Sequence, residues 1–234
     1  MQKLLLPYKN GRFIIGYKDA EYLKIHGYQH YGIDSVCNDK NGFVYAAGVG
    51  VVVLSGFDGG VGNSVAIVYR DVLQHTTGKI YDIVIRYFHL DKLFVSVGDK
   101  INSGVVIGIE GKTGAGNWGK HLHSEADFDI EWPQYTPQVA HRNNALIKKS
   151  PAGHDSTVNI MSFMHTRFDF TWTGYDGFIP VVVDNIETDS SIINLDTAHE
   201  LIKGIYDELA TIDTARENIN LLLLDLGSEL KMDT

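Results

Sequence analysis

Two short phrases hold the residues whose types and spacing suit chemistry: His30-Tyr31-Gly32-Ile33-Asp34 and His121-Leu122-His123-Ser124-Glu125. Between them His89 stands in Tyr87-Phe88-His89-Leu90. These four histidines and two carboxylates follow no helical repeat. In the second phrase His121, His123 and Glu125 alternate with Leu122 and Ser124, which is the period of a strand, so the three polar groups share one face. A polar face of that kind is costly to bury without partners. Two imidazoles and a carboxylate suit a divalent metal.

The segments that must position these groups read as strands. Asn10-Gly11, between Leu4-Leu5-Leu6 and Phe13-Ile14-Ile15, predicts a small hairpin or a covering strand leading to His30. Gly42 to Leu54 is a β-rich run broken by glycines. Gly56 to Asn63 is a glycine-rich turn with no lysine and no helix pattern after it, so it makes a poor phosphate loop. Ser64–Tyr69 and Ile83–Leu90 read as strands joined by a hairpin loop near His75, itself read as solvated. Gly98-Asp99 and Ser103-Gly104 punctuate another pair of strands. Gly111 to Gly119 is a flexible loop that delivers the chain to His121. Residues 126–165 read as a polar, irregular wrapping loop, in which His141, His154 and His165 have no ligand spacing. Phe168 to Val183 alternates and is aromatic, which suggests a hairpin.

Short strands with such turns, and no long amphipathic helix before residue 190, predict a mainly β domain. The pattern changes at Asp196. Thr197-Ala198-His199-Glu200 fits a capping box. Ile202, Ile205, Leu209, Ile212, Ile219, Leu223, Leu226 and Leu230 then form a heptad seam, interrupted at Arg216. That predicts a long C-terminal helix. It lies on the β domain, or it makes a homodimer or grips a partner through residues 196–230. The reading divides the chain into a covering segment 1–29, a β domain 30–183 and an acidic helical segment 184–234.

Charge follows the same division. Residues 1–183 carry 17 acidic and 17 basic side chains, and the remaining 51 carry 12 and 3, so the tail accounts for the net charge of -9. The neutral body gives no reason to expect nucleic-acid binding. A single cysteine, Cys37, excludes an intramolecular disulfide framework and a Cys-rich zinc knuckle. The three-leucine run near Met1 is too short for a secretory signal or a membrane span. Cytoplasmic synthesis is therefore expected, or a mature form whose signal is missing.

Taken in order, His30-x-Gly32-x-Asp34, the strand end at His89, Gly111-x-Thr113-Gly114 and His121-Leu122-His123-x-Glu125 resemble the M23 family of zinc metallopeptidases. These are the lysostaphin-like (LytM-type) peptidoglycan endopeptidases, and the resemblance covers roughly residues 28–126. It implies a LytM-like antiparallel β sandwich or barrel. It implies that His30, Asp34 and His123 bind Zn²⁺, with His89 and His121 beside an open position that holds water. One of these two histidines would accept the water proton, and the other would steady the oxyanion or protonate the leaving amine. Glu125 is a candidate acceptor that fixes an imidazole tautomer, or else a plain surface carboxylate.

The implied substrate is a peptide of bacterial peptidoglycan, lying in a groove rimmed by the loops at Phe57–Asn63 and Thr113–Trp118. A phage or prophage lysin (an endolysin, released at lysis) fits the missing signal, with action at the cell wall. The alternative is a non-catalytic LytM-like module that docks a partner through the C-terminal helix. A lipoyl- or biotinyl-type carrier is a weaker reading of Val97 to Gly108, because Lys100 lacks the expected neighbours. Latency through residues 1–29, with Asn10 or His26 reaching over the groove, is a further expectation.

Overall fold

Alternation sets the layers. In the strand Lys79–Leu90, Ile83, Ile85 and Tyr87 enter one hydrophobic cluster while Val84 and Phe88 enter another on the opposite face. The strand Gly62–Gln74 does the same, with Val65, Ile67 and Tyr69 on one side and Ala66 and Val68 on the other. Strand segments buried on both faces must be apolar, and Val65–Tyr69 and Ile83–Phe88 are, with Arg86 as the exception between Ile85 and Tyr87. Each large side chain so buried stabilises the fold by roughly 1.5–3 kcal/mol.

The computed structural model describes residues 1–115, 119–139, 146–167, 170–174 and 182–184, all within a unit running from Met1 to Asn185. Its largest sheet has nine strands. From one edge to the other run Thr171–Gly174, Asn10–Ile15, Ile33–Cys37, Leu122–Asp127, Lys79–Leu90, Gly62–Gln74, Gly50–Asp58 and Lys100–Ile101, with Thr157–Val158 added beside Leu122–Asp127. Two three-stranded sheets contribute Leu4, Met164, Val44 and Ile107 to the larger hydrophobic cluster, which makes a two-layered β body. Among the described residues one α-helix, Ala20–His26, is capped by the Asp19 side chain on the Tyr22 amide, and Gly27 ends it in a left-handed conformation.

The mainly β expectation holds. The antiparallel expectation holds for the middle of the large sheet but not at its edge, where Thr171–Gly174 runs parallel to Asn10–Ile15. Leu4–Leu5 likewise runs parallel to the strand Met164–Arg167. The Asn10-Gly11 hairpin does not form. Leu4–Leu5 pairs elsewhere, and Asn10 and Gly11 lie inside a strand against Ile33–Cys37. Asn10–Ile15 is instead an integral strand of the sheet, between Thr171–Gly174 and Ile33–Cys37.

Residues 126–165 are more than a wrapping loop. Ile147 is a buried member of the second cluster, Ile130, Val139 and Leu146 pack onto it, and Ile160, Met161, Phe163 and Met164 belong to the first. His75 is not simply solvated, because its Nε2 donates to the Met161 carbonyl at 2.7 Å and its ring lies 5.5 Å from the ring of buried His165. The long C-terminal helix, the dimer seam at 196–230, His141 and much of the Phe168-to-Val183 hairpin lie outside the described residues.

Candidate metal centre

The strands Ile33–Cys37 and Leu122–Asp127 are antiparallel neighbours, and their register sets Asp34 directly opposite His123. Leu122 and Ala126 face the larger hydrophobic cluster, so His123, Glu125 and Asp127 turn to the other face. His30 joins them from the turn just before Ile33. Its Nδ1 donates to the Gly16 carbonyl at 2.8 Å, which leaves the lone pair of Nε2 facing inward. Gly32 is required here, because a Cβ on it would lie 2.5 Å from His123 Nε2. Phe88 stacks on that ring, 5.6 Å between centroids and 7° from parallel.

Three donor atoms therefore converge. His123 Nδ1 lies 2.8 Å from Asp34 Oδ1 and 3.0 Å from His30 Nε2, and His30 Nε2 lies 3.1 Å from Asp34 Oδ1. One ligand atom from each residue fits within a 4.8 Å cluster, with His30 and Asp34 buried. A tetrahedral shell with bonds of about 2.1 Å would need its donors about 3.4 Å apart, so a small expansion of this cluster would admit a cation.

Charge makes the same case. Asp34, Glu125 and Asp127 are buried beside a single buried cation, Arg86, which pairs with both Glu125 and Asp127. Three carboxylates and one guanidinium leave a double negative charge, and a divalent ion would cancel it. Without one, protons do part of the work. Burial opposes ionisation of Asp34, yet His30 and His123 hold its carboxyl well below the usual range. Burial likewise opposes the imidazolium of His123, but Asp34 and Glu125 raise it to about 9.

His89 and His121 stand beside this cluster. Their rings are 4.9 Å apart, and His121 Nε2 lies 3.7 Å from Asp34 Oδ2. His121 lies just ahead of its strand, in a bridge to Gly111, with Nδ1 donating to the Gly119 carbonyl at 2.9 Å. His89 reaches the site through a local break in the strand. Its neighbour Phe88 already occupies the site face, so simple alternation would send His89 to the opposite one. A register shift between Asn63 and Val65 and a positive φ of 65° at His89 swing the side chain back. Its Nδ1 donates to the Thr113 carbonyl at 3.0 Å, and burial next to His123 and His121 lowers its pKa to about 4.

The structure brings His30, Asp34, His89, His121 and His123 together. Glu125 is fully buried, which removes its surface-carboxylate reading, and its Oε2 lies 3.8 Å from His123 Nε2. Its firmer contacts are with Arg86 and with Thr136, whose Oγ donates to Oε2 at 2.9 Å. Arg86, Asp127 and Thr136 were not singled out by the sequence reading. One signal was present, a lone arginine inside an apolar strand, which must find a carboxylate. The fixing carbonyls of Gly16, Thr113 and Gly119 carry no signal in the residue string. His26 packs against Tyr22 and Tyr28, and the Asn10 amide donates to Asp39, so both have partners of their own.

Clustered donors of this kind, flanked by two further imidazoles, can seat a divalent cation and carry protons next to it. Residues 28–131 match the model of Peptidase family M23. The chain is 34% identical over 144 residues to a glycyl-glycine endopeptidase of Staphylococcus capitis, ALE-1, covering 61% of this chain and 36% of that protein. It is 42% identical over 82 residues to the peptidoglycan DD-endopeptidase ShyA of Vibrio cholerae, covering 35% of this chain and 16% of the relative. The chain thus spans well under half the length of these relatives. Among solved structures, the catalytic domain of lysostaphin from Staphylococcus simulans aligns with 64% of this chain and 90% of its own, at 26% identity and a TM-score of 0.43. Among the described residues no helix is long and apolar enough to cross a membrane.

Proposed function

We propose that this chain is a zinc-dependent metalloendopeptidase that hydrolyses peptide bonds in bacterial peptidoglycan. The observation that carries the reading is the meeting of His30 Nε2, an Asp34 carboxylate oxygen and His123 Nδ1, three donors from two stretches far apart in the sequence. The family match and the cell-wall endopeptidases among the relatives support the substrate class. The proposal extends to where the protein acts, which is the cell wall, reached after release from the producing cell or as part of a phage particle.

In this reading His30, Asp34 and His123 would hold the zinc, and Glu125 is the carboxylate that faces the remaining nitrogen of His123, 3.8 Å away. When bound, zinc would supply a Lewis acid that makes water easier to deprotonate and a carbonyl easier to attack. The chain's own residues do the rest. Nδ1 of His89 and of His121 is tied to a main-chain carbonyl in each case, so Nε2 is the position left for proton exchange. With its lowered pKa His89 is neutral at pH 7 and can accept a proton there. Water adds to the carbonyl carbon, its proton passes to one Nε2, and the amide nitrogen leaves with a proton as the C–N bond breaks. His121, nearer the surface, completes the pair, as the partner that steadies the oxyanion or protonates the amine.

The test is metal analysis together with wall digestion. Purified protein should hold about one zinc per chain and release peptide fragments from peptidoglycan. His121→Ala should keep the metal and lose the activity. Undiminished digestion by that variant would remove the proposed chemistry.

A further inference from the structure

We propose that Thr136 and Arg86 are positioning residues that act through Glu125 to fix the ring of His123. The inference rests on the metallopeptidase reading and names what holds one metal donor in its orientation.

An imidazole that offers Nδ1 to a cation must carry its proton on Nε2, and that proton needs an acceptor. On the Nε2 side of His123 the carboxylate is Glu125, with Oε2 at 3.8 Å. A glutamate has three rotatable bonds and would not hold that place unaided. Here Oε1 takes a hydrogen bond from Arg86 Nη1, and Oε2 takes one from Thr136 Oγ at 2.9 Å.

Arg86 is fixed in turn. Its Nε donates to the Pro133 carbonyl at 2.7 Å and its Nη2 to Asp127 at 3.0 Å, so the planar fork is engaged along three directions. Arg86 lies directly opposite Glu125 across the two strands. Thr136 arrives from a different part of the chain, where Tyr135–Thr136 pairs with Lys148–Lys149. Arg86, Thr136 and Glu125 are all buried, so each lost contact leaves a polar atom that water does not readily reach. The segment after Asp127 thereby joins this network through the Thr136 hydroxyl, which reaches Glu125, and the Pro133 carbonyl, which holds Arg86. The hydroxyl contact serves the site, because the second cluster gives the segment a separate apolar hold through Ile147.

The test compares Thr136→Val with Thr136→Ser in the full chain. Valine keeps the volume and removes the donor, while serine restores it. Two readouts separate positioning from general stability: zinc affinity measured by competition with a chelator, and the imidazole ¹⁵N shifts of His123 in the zinc-loaded protein. Thr136→Val should bind zinc about tenfold more weakly with altered His123 shifts, and Thr136→Ser should return both toward wild type. Should Thr136→Val not fold, Glu125→Gln tests the same link and should weaken zinc in the same direction. Wild-type affinity and unchanged His123 shifts in Thr136→Val, or in Glu125→Gln, would overturn the inference while leaving the metal reading intact. Wild-type protein that takes up no zinc would overturn both.

Discussion

Nδ1 of His89 donates to the main-chain carbonyl of Thr113 at 3.0 Å, although the two belong to separate loops and strands. Two glycines allow this contact. A Cβ on Gly62 would lie 2.3 Å from Thr113 Oγ, and one on Gly114 would lie 2.5 Å from the Gly62 amide nitrogen, so the two loops meet backbone to backbone. Both glycines also have positive φ, 76° and 92°. Gly62→Ala should therefore displace Thr113, release His89 and destabilise the fold by roughly 1–3 kcal/mol. Calorimetry should show a lower Tm, and peptidoglycan digestion should fall much further than zinc content.

The metal-free protein should have a characteristic pH dependence. His123 is raised from 6.5 to about 9, so its contribution is complete below pH 6.5 and is lost as pH rises through about 9. Asp34 is lowered, so its contribution is present above its ordinary value and is lost as pH falls through the depressed one. His89 is lowered to about 4, so it favours the folded state above pH 6.5 and that stability is lost as pH falls toward 4. Stability should therefore decline on both sides of neutrality, with the alkaline limb set by His123. Chemical denaturation of chelator-treated protein between pH 5 and 10 checks this, and a flat alkaline limb would contradict it.

Zinc uptake should release a proton. At pH 7 the raised His123 carries an extra proton that its Nδ1 must lose to become a donor. Calorimetric titration in buffers of different ionisation enthalpy should give about one proton released per zinc. Asp34→Asn, which removes the charge that holds His123 protonated, should lower both that number and the affinity. Equal proton release by the variant and the wild type would argue against the coupling.

Part of this site could be read from the residue string, and the division has a physical cause. His123 and Glu125 share a face because strand alternation is local, and the spacing from His30 to Asp34 suits a turn entering a strand. His89 was found by its place at a strand end, but the geometry that delivers it was not legible. That geometry depends on a register shift and a left-handed residue, which arise from how two strands and a loop pack together. The failed hairpin at Asn10-Gly11 has the same origin, because a local turn signal lost to pairing with distant strands. Arg86 shows the converse. Its charge within an apolar strand was visible, yet its partners lie 39 and 41 residues away.

Phe88 links the hydrophobic core to the chemistry, since its ring is a buried member of the second cluster and also the platform on which His123 lies flat. Phe88→Leu keeps an apolar side chain but removes the flat surface, and should cost about 1–2 kcal/mol of stability. Phe88→Ala leaves a cavity and should cost about 3–5 kcal/mol. If stacking orients the imidazole, zinc affinity should already fall in Phe88→Leu, out of proportion to its small loss of stability. Parallel denaturation and chelator-competition measurements on the two variants separate these effects. Zinc affinity that simply follows stability across both would reduce Phe88 to a filler of space.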